Sequence, residues 1–249
     1  MDKAQLDICF DETFKAWGSV IICPGGGYRW LSPREAAPVA RRFEERRWRP
    51  FVLYYSVGER LGVVPLTEAA GALRFVRSHY AGPVVLCGFS AGGHLAASLG
   101  VHWDNAEIFP GPESRRTQRP DALILCYPVI TAGKAAHQGS IESLAGASDA
   151  DFFSLENHVS SSAPPSFIWH TAGDKTVPVE NSLCFAEALI RNGVETELHI
   201  FPRGIHGLSL AVPELDEVEA GRIADPHVAR WFDLSIEWLE GLFLKGGAA

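Results

Sequence analysis

A serine between two glycines is the feature of this sequence with the clearest chemical meaning. Residues 88–92 read Gly-Phe-Ser-Ala-Gly, between an apolar run at 83–87 and a helix-prone run at 94–99. This order predicts a strand, a strained turn at Ser90 and a helix, with glycines where a Cβ atom would strike neighbouring backbone. The pentapeptide also arises by chance in loops rich in glycine and serine, so the flanking strand and helix carry the prediction that Ser90 is a nucleophile.

Asp174 is the candidate acid that such a serine requires. A serine hydroxyl is a weak nucleophile at neutral pH, so it needs a histidine base and an acid that orients the histidine. Asp174 follows the apolar run 167–170 through a tight turn, which places it at the carboxyl end of a predicted strand. The alternative is that it only caps a helix beginning near Pro178. Two competing acids, Asp149 and Asp151, have no strand before them.

His206 is the candidate base. It follows a strand-like run at 196–201, lies beside Gly207, and comes last in the chain order Ser, Asp, His. The other histidines lack this position after a strand, and a structural role is the usual one for a lone histidine. The sequence therefore predicts a Ser90–His206–Asp174 triad.

Three consecutive glycines, residues 25–27, follow the apolar run 20–23. Glycines at such a loop let backbone N–H groups face a substrate oxyanion, and the N–H of Ala91, at the start of the next helix, is predicted as a second donor. A phosphate-binding loop is the alternative. The triplet is not part of a Gly-x-Gly-x-x-Gly pattern, and no Gly-Lys-Ser/Thr follows it, which argues against a nucleotide. No metal or organic cofactor is predicted.

These motifs together resemble the α/β-hydrolase esterases of the acetyl-xylan esterase-like or sugar-ester hydrolase kind, relatives of the hormone-sensitive-lipase group. The resemblance extends from about Ser19 to Leu210. The segments that carry it are 24–28, 88–96, 127–130, 169–171, 173–179 and 201–208. It implies oxyanion donors at Gly26 and Gly27, together with Ala91, and leaves the register within the glycine triplet open by one residue.

Two positions depart from the pattern of that family. Pro24 stands where the lipase relatives usually have histidine, as it does in the sugar-esterase-like members, and Gly173 stands where members often carry a second aspartate. The second departure removes one alternative acid next to Asp174. By the same resemblance, Tyr28 and Trp30 are predicted to line the acyl or sugar side of the pocket, with packing at a loop edge as the alternative.

The elements that must position these residues alternate along the chain. Short, continuously apolar runs are separated by helix-prone stretches, which predicts an α/β fold with a mostly parallel sheet and helices on both faces. Residues 32–35, Ser-Pro-Arg-Glu, predict a helix start in which Ser32 is the N-cap and Glu35 returns a hydrogen bond to it. The periodicity fails over about 128–165, which predicts a lid-like insertion; a disordered surface loop is the alternative.

Length and composition favour a single domain over residues 1–249. A net charge of −8 without a dense basic run argues against a nucleic-acid partner. No apolar run approaches 20 residues and the N-terminus has no signal-like segment, so no membrane partner and a cytoplasmic location are predicted. The five scattered cysteines predict free thiols. A homo-oligomer stays open.

The function predicted from these residues is hydrolysis of short acyl esters, with acetyl esters of sugars or xylo-oligosaccharides as the expected substrates. An amide hydrolase, arylformamidase-like or peptidase, is the first alternative. Related peptidases usually carry an extra N-terminal domain for which this chain has no room, so small amides stay open and oligopeptides are disfavoured. The second alternative is a hydrolase-fold protein that binds a ligand without turning it over.

Overall fold

A computed structural model of the protein describes residues 4–10, 14–111, 117–146 and 150–244. Within these residues seven strands form one sheet, in the order β1-β3-β2-β4-β5-β6-β7. Their bounds are β1 Gln5–Ile8, β2 Gly18–Cys23, β3 Trp48–Tyr54, β4 Val84–Phe89, β5 Ala122–Cys126, β6 Ser166–Thr171 and β7 Thr196–Phe201. Only β1 runs antiparallel to its neighbour, and the other neighbouring strands are parallel.

Helices connect the strands and cover both faces of the sheet. The described helices are α1 Ala37–Glu45, α2 Val64–His79, α3 Ala91–His102, α4 Gln138–Ala145, α5 Glu180–Arg191, α6 Pro226–Ala229 and α7 Trp231–Phe243. Shorter 3₁₀ turns are Pro33–Glu35, Asp151–Phe153, Leu155–His158, Pro213–Leu215 and Val218–Ala220. None of these helices combines the length and the hydropathy that a membrane crossing requires.

The central strands β2, β4, β5 and β6 are buried along their whole length because each face of the sheet packs against a different helical layer. In β2, for example, Ile21 and Cys23 face the cluster formed with α2, α3 and α5, whereas Val20 and Ile22 face the cluster formed with α1 and α7. Successive side chains of a strand point to opposite faces, so a strand buried on both faces has a mostly apolar sequence without polar–apolar alternation. The predicted α/β class is therefore confirmed.

One local prediction differs from the structure. The segment 32–35 does not form a capping box: Pro33–Glu35 is a 3₁₀ turn, the Ser32 side chain makes no capping bond, and α1 begins only at Ala37.

The described parts of the predicted insertion, 128–146 and 150–165, are not a disordered loop. They contain α4 and two 3₁₀ turns, and Leu155 is buried and donates its N–H to the Ile130 carbonyl. Asp149 lies outside the described residues.

Close backbone contact surrounds the turn between β4 and α3. A Cβ atom at Gly92 would lie 2.0 Å from the carbonyl oxygen of Cys23, and one at Gly88 would lie 2.2 Å from the carbonyl oxygen of Gly92. Both distances are far inside van der Waals contact, and the obstructing atoms belong to backbone that cannot rotate away. The two glycines therefore let α3 pack directly on the ends of β2 and β4.

This packing makes the Gly92→Ala variant a sharp test of the fold. We expect it to lose about 3 kcal/mol or more of its free energy of unfolding, because the backbone at Cys23 must move to admit a methyl group. Gly241→Ala in α7 is the matched control: nothing lies within 4 Å of its Cβ position, so alanine should raise stability by about 0.5–1 kcal/mol. Urea unfolding of both variants checks this, and equal stabilities would contradict the packing.

Candidate active site

Ser90 lies at the sharp turn between β4 and α3. Its backbone adopts φ 52° and ψ −117°, in the region of positive φ that residues with a Cβ rarely occupy. Neighbouring backbone holds this conformation: the Ser90 N–H donates to the Cys126 carbonyl at 3.0 Å, and the Ser90 carbonyl accepts from the N–H groups of His94 and Val129. The strained turn raises the serine side chain above the carboxyl edge of the sheet, as the sequence predicts.

The three residues predicted as a triad form one continuous hydrogen-bonded line. Ser90 Oγ lies 2.8 Å from His206 Nε2, and His206 Nδ1 lies 2.6 Å from Asp174 Oδ2. In this geometry Nδ1–H donates to the carboxylate, so Nε2 is the atom free to accept the serine proton. Ser90, Asp174 and His206 come from three separate loops, each at the carboxyl end of a parallel strand.

Asp174 also stabilises the turn before α5, but it does not cap that helix, whose N-cap position is Val179. Its Oδ1 accepts the N–H groups of Thr176 at 2.9 Å and Val177 at 3.0 Å, while Oδ2 faces His206. Burial by itself raises the pKa of Asp174, but the hydrogen bonds from His170 and His206 outweigh it and hold the pKa well below the usual range. Asp174 is therefore an anion throughout the physiological range.

A second histidine, His170, reaches the same carboxylate oxygen and was not predicted. It is fully buried at the end of β6, with Nε2 3.3 Å from Asp174 Oδ2 and 3.0 Å from the Val177 carbonyl. Because Nε2–H donates to that carbonyl, Nδ1 accepts from the Ser182 hydroxyl at 2.7 Å. Its position inside a strand gave no sequence signal, since a buried histidine in a strand usually has a packing role.

The glycine loop after β2 presents two backbone donors to the cleft. Gly25 is not one of them, because its N–H donates to Glu35 Oε2 at 2.7 Å. The N–H groups of Gly26, Gly27 and Ala91 have no acceptor within the described part of the chain. Gly26 and Gly27 line the same cavity as Ser90, both with positive φ, and a Cβ at Gly26 would lie 2.0 Å from the Trp30 carbonyl oxygen.

The Glu35 side chain connects the glycine loop to the loop that carries His206. Its side chain is buried, with Oε2 on Gly25 and Oε1 accepting the Tyr127 hydroxyl at 2.7 Å. The Tyr127 oxygen in turn accepts the N–H of Ser209 at 2.9 Å, three residues beyond His206. The sequence assigned Glu35 to a helix cap, because the local Ser-Pro-Arg-Glu pattern conceals partners that are distant in the chain.

The cavity above Ser90 has a volume of about 470 Å³. Trp30 lines this cavity and is 54% exposed. His137, from the loop before α4, lines it as well; burial, with His206 and Arg29 nearby, lowers the pKa of His137. His137 brings the predicted insertion to the edge of the cleft.

The prediction that Tyr28 lines the pocket is wrong for its side chain. Tyr28 is only 1% exposed, and its hydroxyl lies 2.9 Å from His94 Nδ1 beneath the glycine loop. His94 Nε2–H donates to the Phe153 carbonyl, so Nδ1 accepts the tyrosine proton, and burial lowers the pKa of His94 to about 4. Tyr28 therefore anchors the glycine loop to α3 and to the insertion.

The chain is similar in sequence to a protein-family model and to known enzymes. A family model described as BD-FAE matches residues 68–189. Endo-1,4-beta-xylanase B of Butyrivibrio fibrisolvens is 38% identical over 209 residues, 78% of this chain and 33% of that protein. The acetylxylan esterase of Xylanibacter ruminicola is 28% identical over 221 residues, 82% of this chain and 44% of that protein. The chain thus spans less than half the length of these two relatives.

A solved structure covers nearly the whole chain. The acetyl ester-xyloside bifunctional hydrolase from Caldicellulosiruptor lactoaceticus superimposes with a TM-score of 0.81 at 37% sequence identity. The match covers 96% of this chain and 88% of that one.

The Glu35→Gln variant tests whether this carboxylate orders the glycine loop. Glutamine can accept the Gly25 N–H, but its amide then donates to Tyr127, whose own proton loses its acceptor. We expect kcat for p-nitrophenyl acetate to fall about 10- to 100-fold with little change in KM, because displaced N–H donors weaken transition-state binding. The exposed Glu45→Gln is the matched control. A change confined to KM would contradict the assignment.

Proposed function

The chain belongs to the α/β-hydrolase esterase family, and from that premise we propose that it hydrolyses carboxylic esters through a covalent acyl-enzyme. The observation that carries the proposal is the line of hydrogen bonds from Ser90 Oγ through His206 to the buried carboxylate of Asp174. It opens on a cavity that also exposes the glycine loop. A nucleophile, its base and a set of oxyanion donors thus surround one space.

The proposed reaction has two halves. Ser90 Oγ attacks the ester carbonyl carbon while His206 Nε2 takes its proton, and the Asp174 anion stabilises the imidazolium. The carbonyl oxygen, now negatively charged, receives hydrogen bonds from the backbone N–H groups of Gly26, Gly27 and Ala91. His206 then returns the proton to the leaving alkoxide. In the second half, a water molecule gives a proton to His206 and attacks the acyl carbon. The bond from that carbon to Ser90 Oγ then breaks, His206 returns the proton to Oγ, and the acid leaves.

Replacement of Ser90 tests the covalent mechanism directly. We expect Ser90→Ala to lower the rate of p-nitrophenyl acetate hydrolysis by several orders of magnitude without loss of fold, because the variant lacks the attacking oxygen. A fluorophosphonate probe should label the wild-type protein on Ser90 and leave the variant unlabelled. Ser98→Ala, the same change at a buried serine of α3 outside the cavity, is the control. Retained turnover in Ser90→Ala would refute the mechanism.

The substrate class that the cavity supports best is a short acyl ester, such as an acetyl group, on a sugar or oligosaccharide. A volume of about 470 Å³ holds a small acyl group together with a sugar ring, and the cavity is open to solvent at Trp30. An exposed indole face suits stacking on the C–H face of a sugar, and Arg29 beside it offers guanidinium donors to hydroxyl groups. The names of the xylan-active relatives agree with this class.

A substrate panel with the Trp30→Ala variant tests this class. Acetylated xylo-oligosaccharides should be hydrolysed with a higher kcat/KM than p-nitrophenyl esters of longer acids, and Trp30→Ala should raise KM about tenfold for the sugar esters alone, because stacking acts on the sugar. Exposed Trp17→Ala is the control. A preference for long acyl chains, or for N-formyl aromatic amines, would overturn the sugar-ester proposal and favour a lipid-like ester or a small amide.

A further inference from the structure

Residues 217–222 form a small closed loop beside the base. Glu217 and Arg222 face each other as an isolated antiparallel bridge, with backbone N–O distances of 2.8 and 3.1 Å. Between them the 3₁₀ turn Val218–Ala220 reverses the chain, and Gly221 completes the reversal at φ 69°. The backbone pairing fixes the point from which the Arg222 side chain leaves.

The Arg222 side chain returns to the loop that carries His206. Its Nε donates to the His206 carbonyl at 3.1 Å, and its Nη1 donates to Glu217 Oε2 at 2.6 Å. The contact with His206 is therefore to the backbone, while the imidazole remains directed toward Ser90 and Asp174.

Arg34 binds the next carbonyl of the loop, that of Gly207. Its Nη1 donates to the Gly207 carbonyl at 2.6 Å, and its Nε lies 3.6 Å from the same Glu217 oxygen that receives Arg222. Its Nε and Nη2 also donate to the Leu215 carbonyl. The guanidinium groups of Arg222 and Arg34 thus bind the carbonyls of two consecutive residues of the loop. The carboxylate of Glu217 lies between the two guanidinium groups.

The loop of the base needs such support because its own sequence restrains it weakly. Glycines at 204 and 207, with φ 133° and 80°, flank His206 and Ile205. Glycine has the widest choice of backbone conformations, so this segment alone does not fix the direction of the imidazole. A Cβ at Gly207 would lie 3.0 Å from Arg222 Nε, which shows how closely the arginine covers the loop.

We propose that Arg222 is a positioning residue that, with Glu217 and Arg34, fixes the backbone of His206 so that Nε2 stays within reach of Ser90 Oγ. The proposal rests on the proposed function, in which His206 is the base. Partly exposed ion pairs contribute little to the stability of a fold, whereas a side chain displaced by about 1 Å at a reacting centre lowers the rate about 100-fold. We call the contacts of Arg222, Glu217 and Arg34 with this loop the clamp. Its loss should lower kcat much more than it lowers the stability of the fold.

The first experiment compares Arg222→Ala with wild type and with Arg191→Ala, a control that removes an exposed arginine ion pair of α5. For Arg222→Ala we expect kcat for p-nitrophenyl acetate and the rate of fluorophosphonate labelling to fall together, about 10- to 100-fold, with KM within about twofold. The melting temperature should stay within about 3 °C. Guanidinium ion added to Arg222→Ala should restore part of the activity, since the arginine site is open to solvent.

A spectroscopic readout reports on the base itself. We expect wild type to show a low-field proton resonance for His206 Nδ1–H, because this proton lies in a 2.6 Å hydrogen bond. The resonance should broaden or shift in Arg222→Ala and return in Arg222→Lys. Glu217→Gln keeps both arginines but removes the charge between them, so it should lower kcat by about three- to tenfold. These two variants also test the proposal if Arg222→Ala does not fold.

The other possible outcomes separate a failure of the positioning role from a failure of the proposed function. A raised KM with unchanged kcat would make Arg222 a substrate contact, and unchanged kinetics with an altered melting temperature would make the clamp a purely structural one; either result overturns the proposal. Wild-type labelling with equal labelling of Arg222→Ala overturns it as well. A wild-type protein that is not labelled at all refutes the proposed function instead.

Discussion

The position of Ser90 depends on an approach of backbone to backbone. Helix α3 packs so closely on β2 and β4 that Gly92 and the Cys23 carbonyl leave no room for a methyl group. This contact, together with the hydrogen bonds to Cys126 and Val129, keeps Ser90 in its strained conformation. If α3 were farther from the sheet, the turn could relax, and the serine would lose its defined position relative to the other two loops.

Much of the fold was predictable because strands buried on both faces are written in the sequence as continuous apolar runs. The elements that escaped prediction lack that signature. Strand β1, with Gln5 and Asp7, is a short antiparallel edge strand, and α4 is built largely from small residues with glycine and serine. Their stability comes from tertiary contacts, such as the pairing of Ile8 with Phe51, that no local pattern records.

The candidate site divides in the same way. Ser90, Asp174 and His206 could be found because each follows a recognisable strand and because their chain order is that of a known arrangement. Glu35, His170 and Arg222 could not, since each acts through a partner that is distant in the chain or is backbone. The family resemblance assigned Tyr28 to the pocket, but its ring points inward, toward His94. The local sequence therefore identified the candidate triad residues, but not the residues that hold them in position.

The 3₁₀ turn Pro33–Glu35 holds both sides of the cleft with two adjacent residues. Glu35 binds the glycine loop through Gly25, whereas Arg34 binds the loop of the base through Gly207. The glycine loop and the loop that carries His206 are thus connected through the adjacent residues Arg34 and Glu35. An insertion or a loop exchange in this turn would disturb both at once, so the smallest transplantable unit of the site includes the glycine loop, the turn and the segment from His206 to Arg222.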